Sequence, residues 1–133
     1  MYLGVSPVKY FQIESKVFEK MEWDQLKGSN YLEEAFVLVE KYFETSIIFK
    51  FQLKTLLSFI LENVHDHGCG SCNLIIGKTD SGLIIEIFEE QGGFDLNELP
   101  YGKGGCGFRV IKKSKCKVSH SKNGKSTYIV VPN

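Results

Sequence analysis

Three clusters in the second half of the chain have the residue types and the order that phosphate and magnesium chemistry uses. Asn63 stands ahead of His67-Gly68, Gly92-Gly93-Phe94-Asp95 follows an apolar run, and Gly104-Gly105-Cys106-Gly107-Phe108 precedes a short stretch able to form a helix. Glycines ahead of a helix let backbone amides approach a phosphate, and the helix N-terminus adds unpaired N–H donors and a favourable dipole. A carboxamide oxygen from Asn63 can complete the shell of a Mg²⁺ already held by phosphates, because Mg²⁺ takes oxygen ligands and keeps waters. The same asparagine can equally serve as a hydrogen-bonding residue at a helix end.

A second constellation overlaps the first. His65, His67, Cys69 and Cys72 spell HxHxCxxC, and two imidazoles with two thiolates can close a tetrahedral zinc site. On a helix the two histidines diverge by about 200°, so both reach one ion only where the helix frays before Gly68. Cys72 beside Leu74 and Ile76 reads more simply as a small buried hydrophobe. Cys106, between glycines, is either a thiol of lowered pKa or a loop filler. His120 is expected to face solvent from a strand, and Trp23, with Phe18 and Met21, is expected in the core or at a dimer contact.

Positioning these groups requires a particular set of elements. Val8–Glu14 has strand character, and Ser29 or Asn30 is a candidate N-cap for a helix over Tyr31–Glu44, where Leu32, Ala35, Phe36, Val39 and Phe43 recur at spacings of three and four. In Phe51–His67, Leu53, Leu57, Ile60 and Val64 share one stripe while Phe59, Asn63 and His67 lie on a neighbouring face, and Gly68 ends the helix. Ser71–Lys78 and Leu83–Glu89 form a hairpin about Thr79-Asp80-Ser81-Gly82. Gln91–Gly107 is expected to be loop, Phe108–Lys113 a short helix, and Lys115–His120 with Lys125–Val131 a closing hairpin. Strands and helices grouped in this way imply an α+β two-layer sandwich, a mostly antiparallel sheet packed on helices.

With 133 residues, of which 43% are hydrophobic, the chain suits one soluble domain rather than two. No apolar stretch approaches the roughly 20 residues of a membrane span. The segment MYLGVSPVKYF lacks the features of a secretory signal, so a cytoplasmic location with reduced thiols is expected. Formal neutrality argues against nucleic acid as a partner. The charge is nonetheless uneven: residues 101–133 carry eight basic side chains and no acid, which leaves residues 1–100 at −8. That basic end is either a solvated face or a contact for a polyanion or an acidic partner.

Taken together, the motifs resemble the GHKL (histidine kinase-like) ATPase superfamily, and within it the anti-sigma-factor serine/threonine kinase branch. The resemblance rests on Asn63, His67 and Gly68 for the asparagine box, on Gly93, Phe94 and Asp95 for the tail of the first glycine box, and on Gly104, Gly105, Gly107 and Phe108 for the second. Gly124 and Thr127 approximate a later G-T pair, and Leu96–Lys103 makes a short lid. It implies one domain over residues 1–133, residues 1–28 being an N-terminal extension and 29–133 the core, with ATP between helices and sheet. Asn63 would hold Mg²⁺, and Asn63, His67, Glu89, Gly93, Gly104, Gly105, Gly107, Phe108 and Thr127 would surround the nucleotide, with Lys103 or Arg109 adding charge. The family carries a carboxylate as general base four residues before the asparagine; here that position is Phe59, which accepts no proton. Glu89 stands where the family has the adenine-reading Asp, and Gln91 where it has its first glycine. The implied function is an ATP-binding regulator of a protein partner, a sigma factor or an anti-anti-sigma-like protein, with weak protein phosphorylation at most and homodimerisation possible. The alternative is a nucleotide-independent interaction module of the same fold.

Overall fold

The computed structural model describes residues 2–5, 9–43, 47–67, 70–80, 82–91, 116–121 and 124–132. Eight strands and two helices follow in the order β1 (Tyr2–Val5), β2 (Phe11–Phe18), β3 (Trp23–Asp24), β4 (Gly28–Ser29), α1 (Leu32–Tyr42), α2 (Ile47–His67), β5 (Cys72–Thr79), β6 (Gly82–Phe88), β7 (Lys117–His120) and β8 (Ser126–Pro132). Six of the strands make one sheet in the order β1-β7-β8-β6-β5-β2, and β3 and β4 form a separate two-stranded ribbon. Every pairing in the large sheet is antiparallel except β1 with β7. The architecture is α+β, with two helices against one face of a mostly antiparallel sheet.

Alternation along the strands sets which side chains meet the helices. Leu74 and Ile76 on β5, Ile85 and Ile87 on β6, Val118 on β7 and Ile129 and Val131 on β8 share a core with the helices. From α1 come Ala35, Leu38 and Val39, at the expected helical spacing. Glu33 and Glu34 in the first turn and Lys41 in the last match the helix dipole. From α2, Leu53, Leu56, Leu57, Ile60, Leu61 and Val64 are all essentially inaccessible, a wide apolar arc appropriate to a helix buried over much of its circumference.

Several expectations shift. The first long strand runs over Phe11–Phe18, not Val8–Glu14, because its pairing with β5 places Lys16 opposite Leu74 and Phe18 opposite Cys72, which seals the core edge with Phe18. The N-cap of α1 is Tyr31, which makes no side-chain cap. Asn30 is occupied elsewhere: its carboxamide accepts from the Glu22 N–H at 3.0 Å and donates to the Lys20 carbonyl at 2.9 Å, closing the β3–β4 ribbon. Ser29 Oγ accepts the Leu32 N–H at 3.3 Å. Trp23 lies on that ribbon 60% exposed rather than in the core. Helix α2 starts one turn before Phe51 and ends at His67, as expected. The loop expected over Gln91–Gly107 lies, beyond Gln91, outside the described residues, as does the short helix over Phe108–Lys113.

The face of the sheet turned away from the helices is also partly covered. Ile84 is fully buried there and Ile75 nearly so. Tyr10, just ahead of β2, lies across this face, with its ring against Gly77 so closely that a Cβ at position 77 would collide with it. Its hydroxyl donates to Glu86 Oε1, and Ser126 Oγ donates to Glu86 Oε2 at 2.6 Å.

Candidate functional site

Asn63 is buried on α2, 9% exposed, one turn beyond Ile60 and next to Val64. Its Nδ2 donates to the Phe59 carbonyl at 2.7 Å. That back-bond fixes the carboxamide and leaves Oδ1 as the acceptor with capacity to spare. Phe59 itself is half-buried and packs against the core.

Glu89 follows β6 directly and continues its ladder, because its N–H donates to the Lys125 carbonyl at 2.8 Å. By strand alternation its side chain falls on the helix-facing side with Ile85 and Ile87, and it is only 2% exposed. Thr127 on β8 is opposite Ile87 on one side and His120 on the other; it is 5% exposed and shares the inner face with Ile129. His120 is half-buried, not solvent-facing, and its Nδ1 lies 2.7 Å from the Ser121 carbonyl.

Connectivity brings these groups to one end of the molecule. The last turn of α2 leads through a four-residue connection into β5, and Asn73 near the start of β5 pairs with Phe88, the residue before Glu89. Gly70, at φ +75°, turns that connection in a conformation suited to glycine; its N–H returns to the Val64 carbonyl and its own carbonyl accepts from Met21. Asn63 near the end of α2, Glu89 directly after β6 and Thr127 near the start of β8 are therefore three buried polar groups towards one end of the molecule. His67 is the last residue of α2, and nothing is described of its side chain; Gly93, Gly104, Gly105, Gly107 and Phe108 lie outside the described residues, as do Lys103 and Arg109.

The surroundings of Asn63 are charged. Burial, with Asp66 adding to it and His65 opposing, raises the Glu62 carboxyl above its ordinary range. Burial, then Glu62 and Asp66, raises the Tyr31 phenol. His65 Nδ1 lies 2.7 Å from Asp66 Oδ1, and its ring stacks on Tyr31 at 5.9 Å between centroids. Asp66, one turn on from Asn63, is thus engaged by a histidine on its own helix. Sequence reasoning missed this stack, and a Tyr thirty-four positions before a His carries no local signal.

Of the zinc constellation, Cys72 is buried in the core with its Sγ 3.9 Å from Met21 Sδ, and His65 is turned to Tyr31. Among the described residues no three His, Cys, Asp or Glu side chains are placed to hold a metal; Cys69 lies outside them. No helix among the described residues is long and apolar enough to cross a membrane. A cleft of about 300 Å³ lies away from the interlayer site, at the edge of the sheet between Phe18 and Phe88. Compared with family models, with curated proteins and with solved structures, the chain matches none.

Proposed function

We propose that the chain is an ATP-binding regulatory protein with a histidine kinase-like ATPase fold, one that holds or releases a protein partner as Mg²⁺ and nucleotide come and go. The observation that supports this reading is the burial of Asn63, Glu89 and Thr127 towards one end of the molecule. Their types suit a magnesium nucleotide. Asn63 Oδ1 is a hard oxygen ligand for Mg²⁺, and the Glu89 carboxylate can accept from the adenine amino group while Thr127 bonds the same edge. Mg²⁺, when bound, neutralises phosphate charge. His67 and the glycines at 93, 104, 105 and 107, with Phe108, would complete the pocket as the resemblance implies.

Phosphoryl transfer to a serine or threonine of a partner would be slow, because Phe59 offers no proton acceptor where the general base belongs. The partner class that the resemblance points to is a sigma factor or an anti-anti-sigma-like protein. Calorimetry on nucleotide-freed protein tests the reading. The expected result is ATP binding in the micromolar range that weakens at least tenfold without Mg²⁺, with Asn63→Ala losing the Mg²⁺ sensitivity. No heat at about 5 mM ATP overturns it. One observation favours the second reading, a nucleotide-independent interaction module: the Asn63 amide is already bonded within its own helix. In that case Asn63→Ala leaves partner binding unchanged.

A further inference from the structure

Strand β2 ends the sheet order, so among the described residues no further strand pairs with its outward side. Such an edge is a template for another strand unless something blunts it. Ser15 and Val17 stand opposite Ile75 and Asn73 and point to the outer face, while Glu14 and Lys16 stand opposite Ile76 and Leu74 and point to the helix side. Ile13 joins the outer row by the same alternation, and the register shift between Gln12 and Glu14 bounds the regular stretch there. Ile13 is 44% and Val17 61% exposed, an apolar pair that the fold leaves uncovered. Helix α1 lies along the same edge. Lys16 Nζ is 3.9 Å from Glu34 Oε1 and Lys41 Nζ 2.9 Å from Glu14 Oε1, so the helix runs opposite to the strand, and Val37, between Glu34 and Lys41 on that flank, comes abreast of Ser15. Val37 is 67% exposed, and a groove of about 340 Å³ opens between Lys16, Glu34, Val37 and Lys41.

The order of charges along this edge identifies what fits it. A second copy added antiparallel, about a two-fold axis through Ser15, sets Glu14 opposite Lys16 of that copy and Lys16 opposite its Glu14, with Ile13 against Val17 on the outer face at both ends. An axis centred on Glu14 would set two carboxylates face to face, and one centred on Lys16 two ammonium groups, so charge selects the Ser15 register. The same axis passes beside Val37 and exchanges the ends of α1, which brings the Glu34 end of one helix alongside the Lys41 end of the other. Glu14 and Lys16 keep their partners on α1, so the row Lys41, Glu14, Lys16, Glu34 alternates in sign across the two copies. A strand of an unrelated protein would have to carry the reverse of this pattern, whereas a second copy carries it by symmetry. The eight residues of β2 alone make a narrow contact, and the flank of α1 with Val37 broadens it towards the roughly 800 Å² per partner of a stable interface.

We propose that the chain forms a two-fold homodimer in which β2 pairs antiparallel with β2 of a second copy about Ser15, joining the two sheets without need of nucleotide. Analytical ultracentrifugation of the full chain, freed of nucleotide, is expected to show twice the monomer mass at about 100 µM, with a dissociation constant of about 10 µM. Val17→Lys, at an exposed position, sets an ammonium against Ile13 and should weaken the dimer about tenfold or more while the circular dichroism stays that of the parent. Charge tests the register. Glu14→Lys alone and Lys16→Glu alone each set like charges opposite one another and should weaken self-association about tenfold, whereas an equimolar mixture of the two variants sets opposite charges across the interface and should recover the dimer. Whatever each substitution loses within its own protomer is present in the mixture as well, so recovery reports the contact between copies. A monomer at about 100 µM, which would leave the edge to a different chain, overturns the proposal. So does a dimer indifferent to Val17→Lys, or a pair of charge variants that stay apart when mixed.

Discussion

Single residues show how much one hydrogen bond decides here. The Asn63 carboxamide is fixed by the carbonyl of Phe59, the residue at the position where the resemblance would put a general base, so the turn of α2 that orients the proposed magnesium ligand offers no proton acceptor there. On the opposite face of the sheet, the Tyr10 phenol is raised above its ordinary range, first by burial, then by its hydrogen bond to Glu86 and by the charges of Glu86 and Tyr128. A phenol whose folded pKa exceeds its unfolded one contributes stability in full below the unfolded value, near pH 10, and loses it as the pH climbs towards the folded value. Urea unfolding at about pH 9 and pH 11 should therefore show a fall in stability that is smaller in Tyr10→Phe. Tyr31, Tyr42 and Tyr128 are shifted in the same direction, so part of the fall survives the substitution. An equal fall in both proteins would mean that Tyr10 is not held by Glu86.

At the scale of elements, β5 has the most demanding position. Its inner face is Cys72, Leu74 and Ile76, and its outer face is tuned to Tyr10 through Gly77. Gly77→Ala places a methyl in the tyrosine ring and should cost about 1–3 kcal/mol, the range for overpacking. In a Tyr10→Ala background the same change should cost almost nothing, and a double-mutant cycle read by urea denaturation measures the coupling. Additive effects would show that the ring can move aside freely. The pairing of β2 with β5 also explains why β2 begins at Phe11. At its far end Phe18 must sit opposite Cys72 on the core side, and the register shift between Gln12 and Glu14 takes up the difference. On the helix-facing side Glu14, which accepts from Lys41 at 2.9 Å and from the Tyr42 hydroxyl, ties β2 to α1.

For the molecule as a whole, nucleotide binding and folding must be linked if the interlayer site works. A ligand present at about 100 times its dissociation constant adds about 2.7 kcal/mol to the stability of the state that binds it, which for a domain of this size is a rise of several degrees in melting temperature. Differential scanning fluorimetry with ATP and Mg²⁺ should show that rise, and Asn63→Ala with ATP should not. The two ends of the sheet order, β1 and β2, are neighbours in sequence but lie on opposite edges. Tyr10, immediately before β2, is held on the outer face by Glu86.

The elements that the sequence makes legible are those with strong local periodicity. Helix α1, the C-terminal end of α2 and the β5–β6 and β7–β8 hairpins announce themselves through apolar spacing and through turn residues such as Gly124, at φ +72° with its N–H on the Ser121 carbonyl. Burial of Asn63 follows from its place one turn beyond Ile60, and that of Glu89 and Thr127 from their parity with Ile87 and Ile129. Strand β1 has only four residues and pairs in parallel with a strand more than a hundred positions away, so nothing local identifies it. The β3–β4 ribbon depends on Asn30, whose type suits a helix cap equally well and is claimed by Lys20 and Glu22 only once the ribbon closes. The cleft at the edge of the sheet, between Phe18 and Phe88, depends on strand register in the same way. Val17, Asn73 and Phe88 are apart in sequence and meet through strand register, and the lack of a partner for Asn73 Oδ1 is a property of the folded environment that no residue carries in itself.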